Sequence, residues 1–299
     1  MRDPGKAASG LVSVIGSANV DQMVRVDRYP EHGETVLGDW VGRLPGGKGL
    51  NQALAAQSCG AQTRFCGQVG SDADGAMLRR TIEESGIDAT GLCTSEHQPT
   101  GIAQVAVLPE SGNSIIVVGG ANSSLPSTAA AAAAEGAAVV LVQMEIPAAA
   151  AEAALTAGRS TGAVTILNAA PVERVTASVL RLADVVVVNE SEAAALGGAE
   201  HILASGPEAV IVTLGSRGAQ WTHRSGGHLR VPAFQVDAVD TTGAGDAFCG
   251  ALAAAMSRGD DIETALLKAS AAGAIVATAL GAQTGLLTSG AVDCLVSRD

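Results

Sequence analysis

The chain has few aromatic residues: three Phe, two Trp and one Tyr, 2% of 299 positions. A stacking platform for single-stranded nucleic acid needs more than that. Cations are scarce as well. Lysine occurs only at positions 6, 48 and 268, and the formal net charge is -12. That balance argues against non-specific binding to nucleic acid or to an anionic membrane. Positive potential for an anionic ligand must therefore be local, from helix N-termini and a few cations. The five cysteines, at 59, 66, 93, 249 and 294, include no CxxC pair. They read as small core residues in a reducing compartment, not as a disulfide frame or a zinc site. Long hydrophobic runs are missing too. Residues 269–282 are short and rich in Ala and Gly, which suits a buried helix better than a membrane span. Residues 11–18 give way to Asn19 and Asp21 too soon for a signal peptide. The expectation is a soluble cytoplasmic protein with a frayed, disordered tail at 1–9.

What is present is ample apolar material, 47% of the chain. That is enough for one large domain, or one domain with an appendage. LVSVIGSANVD (11–21) reads as a buried strand ending in polar residues, and GKGLNQALAAQ (47–57) as a helix. Strand 63–70 and helix 74–85 follow. The stretches 101–108 and 113–119 alternate around ESGN, as in a hairpin. From about 128 strands and helices alternate regularly. Strands are expected at 139–144, 164–168, 184–189 and 209–213, with helices at 148–158 and 191–196. A hairpin at 219–236 and long helices at 244–257 and 262–280 complete the pattern. Continuous apolar strands between helices imply a parallel sheet covered on both faces. Segments 20–45 and 95–120 break the rhythm and read as a small β-rich lid. The ligand of such a sheet sits at the carboxyl ends of its strands. There the sequence places Asn19 and Asp21, Glu145, Asn168, Asn189 and the run 213–218.

Two glycine-rich stretches carry the chemistry. Residues 42–48, GRLPGGK, match most of a P-loop, but the next residue is Gly49 where Ser or Thr should hold Mg²⁺. No apolar strand is expected before it, because WVGRLP is short and interrupted by Pro45. There is no GxGxxG either. GGKG still lets the backbone approach a ligand, and Lys48 and Asn51 share one face of the first helical turn. A loop-to-helix junction with a solvated lysine is the plain alternative. Asn19 and Asp21 are two apart on a strand and point the same way. They suit adjacent hydroxyls, or simply a strand-end turn. DTTGAGDAF (240–248) runs into a helix. The amides of Gly243, Ala244 and Gly245 can form a nest at its N-terminus, suited to a transferring phosphoryl group. Asp246, one step inside, would take the proton of an attacking hydroxyl. Acidic residues are ordinary at helix N-termini, but the nine-residue pattern is more particular than that.

GGKGLNQALAA (46–56) and DTTGAGDAF together resemble the ribokinase-like family of carbohydrate kinases. GSANVD, TGIA, GGAN, QMEIP, NAAP, NESE, TLGSRG and GAQ (281–283) support the resemblance over about nine-tenths of the chain. It implies a three-layer α/β sandwich around a mostly parallel sheet, spanning 10–299 with the lid inserted. It also implies transfer of the γ-phosphoryl of ATP to O5 of D-ribose. Asp246 is then the base, with 243–245 as the anion hole. Asn19, Asp21, Gly46, Gly47, Lys48, Asn51 and Glu145 hold the sugar. Asn189, Thr213, Leu214, Gly215, Ser216, Arg217, Gly218, Gly245 and Ser270 bind ATP, and Glu192 acts through water on Mg²⁺. The K⁺ ligands correspond to Asp240, Thr242, Val276, Ala279, Gly281 and Gly285, mostly through carbonyls. The lid carries a homodimer contact in the family.

The chain departs from the family pattern in three places. Thr284-Gly285 stands where Pro-Ser is usual, 197–208 is short, and Ser270 is smaller than its usual counterpart. Other acceptors stay open: 2-deoxyribose, another pentose, a ketohexose or a nucleoside, although few aromatics are available to stack a base. A non-catalytic sugar or nucleotide sensor on the same fold is a further alternative.

Overall fold

A computed structural model describes residues 10–108 and 113–297. The expected tail at 1–9 and the turn tip at 110–112 lie outside the described residues. Two sheets organise the molecule. The first has nine strands in the order β13-β12-β11-β10-β9-β8-β1-β4-β5. Its strands are β1 (Leu11–Ile15), β4 (Gln62–Gly70), β5 (Asp88–Ser95), β8 (Val139–Gln143), β9 (Val164–Asn168), β10 (Val185–Asn189), β11 (Ala209–Thr213), β12 (Ala219–His223) and β13 (His228–Val231). Neighbours from β5 to β11 pair in parallel, and the β12–β13 hairpin is antiparallel.

Helices cover both faces, so these strands are apolar throughout. Val139 and Leu141 face one core and Val140 and Val142 the other. The first core lies under α1 (Lys48–Ser58), α2 (Ala73–Glu84), α8 (Ala244–Ser257), α9 (Ile262–Ala277) and α10 (Ser289–Val296). The second lies under α3 (Ser127–Ala134), α4 (Ala148–Thr161), α5 (Ala177–Leu182), α6 (Glu190–Ala195) and α7 (Ala199–Ala204). The result is the expected three-layer sandwich.

The second, small sheet is formed by the segments expected to make the lid, and is called the lid below: β2 (Asn19–Arg25), β3 (Asp39–Gly46), β6 (Gly101–Val107) and β7 (Asn113–Val118), in the order β3-β2-β6-β7. Its strands β2 and β6 are parallel and the outer pairs antiparallel.

Four details differ from the sequence expectations. Residues 11–21 are not one strand. The chain leaves the base sheet after Ile15, crosses at 16–18 and enters the lid as β2. Asn122 clamps the crossing: its Oδ1 accepts from Ala18 N–H at 2.9 Å, and its Nδ2 donates to Ala18 C=O at 3.1 Å. A strand does precede GGKG, namely β3. It is a largely exposed lid edge, where Pro45 is tolerated near its end. The edge strand β5 had no clear apolar pattern and was not expected. Helix α9 ends at Ala277, short of 280, because the next residues turn to join the 239–240 segment. There Val239 N–H donates to Ala277 C=O at 2.8 Å.

Candidate active site

The site lies where the lid meets the carboxyl ends of the base strands. Helix α1 supplies its floor. The first turn of α1 lies against the crossing segment so closely that a Cβ on Gly49 would sit 2.6 Å from Gly16 Cα and Ser17 N. No Ser or Thr fits there, so GGKG cannot serve as a P-loop. Its exposed amide end is instead closed by a carboxylate. Glu145 Oε2, just past β8, accepts from Lys48 N–H at 3.2 Å and from Ser17 Oγ at 2.5 Å. Negative charge at a helix N-terminus is favourable, and Oε1 of Glu145 is left for a ligand.

Helix α8 supplies the opposite wall. Gly243 begins it with φ of 77°, and a Cβ there would meet Ala282 at 2.4 Å. Only glycine fits that left-handed turn. A Cβ on Gly245 would meet nothing within 4 Å, so this turn faces open space. Ala244 N–H donates to Thr241 C=O at 3.2 Å and is already engaged. Asp246 is nearly buried. Gln52 Nε2 donates to its Oδ1 at 2.8 Å, and Asn51 Nδ2 to its Oδ2 at 3.3 Å.

The lid contributes Asn19 and Asp21 from one face of β2. Asn19 is buried, and its Oδ1 accepts from Asn122 Nδ2 at 2.7 Å. Asp21 stands beside the end of β3, so close to Gly46 that a Cβ there would lie 2.3 Å from its carboxylate. Burial first, then the charges of Glu145 and Asp246, push the Asp21 carboxyl up to about 7. Lys48 sits among these acids. The Asp246 carboxylate above all, then Glu145 and Glu192, raise its pKa against the opposing effect of burial. Asp21, Lys48, Glu145 and Asp246 therefore lie within charge reach of one another.

Beside these groups lie the other expected positions. Asn189 and Thr213 are partners across β10 and β11. Asn189 and Glu192 form a reciprocal cap on α6: each side chain accepts the other's N–H at 2.8 Å. That uses Oε2 of Glu192 and leaves Oε1. After β11, Leu214 N–H donates to Gly218 C=O at 2.8 Å, closing the 213–218 loop. Arg217 reaches out of it to pair with Glu190. Ser270 on α9 has a buried Oγ without a hydrogen-bond partner.

The Asp240 carboxylate is pulled up by burial and more strongly down by hydrogen bonds from Thr242 and Gly281, and it ends below its ordinary value. Its Oδ1 accepts from Thr242 N–H and Oγ1, and its Oδ2 from Gly281 N–H. This laces the 240–242 and 281 loops together.

Several participants carried no assigned role in the sequence reading: Ser17, Gln52, Asn122, Gln143 and Gln283. Gln283 Nε2 donates both to Pro45 C=O at 2.9 Å and to Asn51 Oδ1 at 3.0 Å. Each of these residues lies within a motif already noted, GSANVD, GGKGLNQ, GGAN, QMEIP or GAQ. Those motifs are a second layer of the same site.

Residues 9–289 match the model of the pfkB family of carbohydrate kinases. The chain belongs to that family. It is a sugar kinase with ATP as co-substrate. Among curated relatives, the ribokinase of Bacillus subtilis is 37% identical over 292 residues, covering 96% of this chain and 99% of its own. A deoxyribokinase of Salmonella typhimurium is 34% identical over 293 residues, covering 91% and 94%. The chain spans only 56% of a bifunctional ribokinase/ribose-5-phosphate isomerase A from Fructilactobacillus sanfranciscensis, 35% identical over 96% of this chain. The structure of Arabidopsis thaliana ribokinase complexed with ribose and ATP superposes with a TM-score of 0.86 at 30% identity, covering 96% and 98%. Among the described residues, no helix of this kinase is long and apolar enough to cross a membrane.

Proposed function

We propose that this kinase transfers the γ-phosphoryl group of ATP to O5 of D-ribose, giving D-ribose 5-phosphate. The observation that carries the reading is the pair Asn19 and Asp21 on one face of β2, with Asp21 within charge reach of Glu145 and Asp246. An amide and a carboxylate on one strand face suit two neighbouring hydroxyls. Glu145, Asn51, Lys48 and the backbone at Gly46 and Gly47 would complete the sugar's polar surroundings.

Asp246 accepts the O5 proton as the oxygen attacks phosphorus. The open turn at Gly243 and Gly245, at the positive end of α8, holds charge gathering on the transferring group. The lid excludes water and so limits ATP hydrolysis. Asn189, Thr213 to Gly218, Gly245 and Ser270 receive the nucleotide. Mg²⁺ would sit on the ATP phosphates and neutralise their charge, with the unused Glu192 oxygen holding one of its waters. The laced loops at 240–242 and 276–285 would hold K⁺ through Asp240, Thr242, Val276, Ala279, Gly281 and Gly285, mostly by carbonyls, with the Asp240 carboxylate also tying the loops together. The reaction belongs in the cytoplasm, in keeping with the free cysteines. The lid leaves apolar side chains in solvent, which supports a homodimer formed through it.

The deoxyribokinase likeness supports 2-deoxyribose as a second acceptor. It would leave one hydroxyl partner in the cleft unsatisfied, a cost of about 1–3 kcal/mol. ADP release with ATP, Mg²⁺ and K⁺ across D-ribose, 2-deoxyribose, fructose and adenosine tests the proposal. D-ribose should lead in kcat/KM, and Na⁺ in place of K⁺ should slow turnover. A lead for another acceptor overturns the ribose assignment. No turnover with any acceptor would favour a sensor.

A further inference from the structure

Beneath Asp246 lies a chain of buried amides. Gln52 and Gln143 are both fully buried. Gln143, at the end of β8, donates through Nε2 to Gln52 Oε1 at 2.6 Å. That uses the Gln52 carbonyl and turns its amide nitrogen the other way. Gln52 Nε2 then donates to Asp246 Oδ1 at 2.8 Å and to Asn168 Oδ1 at 3.0 Å. Asn168 Nδ2 in turn donates to Val187 C=O at 3.3 Å.

Amide orientation follows from the consistency of such a network, and here only one orientation works. A flipped Gln52 would set its oxygen against two oxygens and its NH₂ against the NH₂ of Gln143. The far end shows what the arrangement costs. Gln143 Oε1 is buried and has no hydrogen-bond partner, lodged where a Cβ on Gly16 would lie only 1.9 Å away. An apolar side chain of similar length would fill this space without an orphaned carbonyl. What Gln143 adds is a donor aimed at Gln52.

We propose that Gln52 and Gln143 are positioning residues that fix the rotation of the Asp246 carboxylate, so that Oδ2 is the oxygen that takes the sugar proton. Oδ1 is tied to the relay. Among the described residues, Oδ2 has only the longer contact from Asn51 at 3.3 Å, at the outer edge of hydrogen-bond range. The proposal rests on Asp246 as the base. A carboxylate free to rotate would spend less time aimed at O5, and misplacement by about 1 Å can cost about 100-fold in rate.

The test uses Gln52→Met, Gln143→Met, the double variant and Asp246→Asn, each assayed for kcat with D-ribose and by calorimetry for D-ribose binding. Gln52→Met should lower kcat by about 10–100-fold with sugar affinity unchanged. Gln143→Met touches no substrate atom. It should lower kcat less, and should add nothing further in the Gln52→Met background, because both act on one relay. Additive losses, unchanged kcat, or kcat losses matched by lost sugar affinity would overturn the relay. If Gln52→Met does not fold, Gln143→Met decides alone: lower kcat at unchanged sugar affinity supports the relay, and wild-type kcat overturns it. Near-normal turnover in Asp246→Asn would remove the base assignment and the relay with it. An inactive Asp246→Asn beside fully active glutamine variants would remove only the relay.

Discussion

Residues 139–142 in the base and 115–118 in the lid are both runs of Val, Ile and Leu, yet their surroundings differ. The first four are fully buried, whereas Ile115, Ile116, Val117 and Val118 stand 46%, 62%, 48% and 51% exposed. In the base, helices cover both faces of the sheet. In the lid, the buried cluster is small: Met23, Ala103 and Val105, with Val107 against it. The base is therefore held by packing on both faces, and the lid by Val20 of β2, which is buried in the main core, and by a few polar contacts. Asn122 clamps its entrance and Arg43 pairs with Asp74 of α2. Thr100, just before β6, is gripped by Asp72, which accepts from Thr100 N–H at 2.8 Å and Thr100 Oγ1 at 2.6 Å. Gln283 bonds the end of β3. Such an arrangement allows movement without loss of the core. Under the proposed function it would also divide the labour, with the reacting carboxylate of Asp246 on the base and the sugar-reading pair Asn19 and Asp21 on the lid.

The largest effect should come from the rigid side. Asp246→Asn keeps the shape and the contact with Gln52 but removes the proton acceptor. Turnover should fall by about 100- to 10,000-fold, with the calorimetric affinity for D-ribose within a few-fold of wild type. If sugar affinity collapsed instead, Asp246 would belong to recognition and the division would fail.

A smaller loss, of a different kind, is expected in the lid. Asp21→Asn should act mainly through the sugar, raising KM by about 10- to 100-fold, as for loss of a hydrogen bond to a charged group worth about 1.5–3 kcal/mol. Its acidity supplies a second readout. With the carboxyl pushed up to about 7, apo wild type is half protonated near neutrality. Sugar hydroxyls donating to the carboxylate favour its charged form. D-ribose affinity should therefore strengthen as pH rises to about 7 and level off above it, and Asp21→Asn should flatten that profile. Stability follows the same proton with the opposite sign. The native state holds a proton that the unfolded chain has lost above about 4. The contribution of Asp21 is therefore full at low pH and is lost as pH rises through about 7. Chemical denaturation from pH 4.5 to 8 should show Asp21→Asn gaining on wild type across that range. Parallel curves would contradict the burial of this carboxylate.

The sequence revealed the rigid part better than the movable one, for physical reasons. Apolar runs such as VVLVQ and VVVVN, set in a regular alternation with helical segments, read as strands covered on both faces, and DTTGAGDAF announced both a helix start and its acid. The lid has no such signature. Its strands are short, mixed and half exposed. The crossing at Gly16-Ser17-Ala18 continues an extended chain from one sheet into the other, so no periodicity marks the boundary. The supporting layer was hidden differently. Gln52, Gln143 and Asn122 are polar residues in buried places, and only the fold shows that each faces another. Asn19 and Asp21 could be strand-end turn residues until the paired β2 and β3 placed them beside Gly46 and above α1.

The smallest effect on catalysis, and the clearest on assembly, should come from the outer part of the lid. Leu44, Ile115 and Val117 share the face of the lid sheet that carries Asp21, as the pairing of Asp21 with Leu44 and Ala103, of Ala103 with Val117 and of Val105 with Ile115 shows. These side chains extend the sugar-reading face beyond the sugar, and they are left in solvent. Apolar patches of this kind mark contact surfaces, and a second lid laid across the first would cover both. Val117→Lys sets a charge in the middle of that patch and disturbs little within the monomer, where the side chain is already about half exposed. Sedimentation velocity should show a dimer for wild type and a monomer for the variant. The kcat should change less than about three-fold, because Asp246 and its support lie in the base. KM for the sugar should rise modestly, since an uncovered lid closes less readily. A wild-type monomer would remove the dimer proposal. A variant monomer with lost kcat would show that the base depends on its partner, and the separation of rigid chemistry from movable recognition would have to be redrawn.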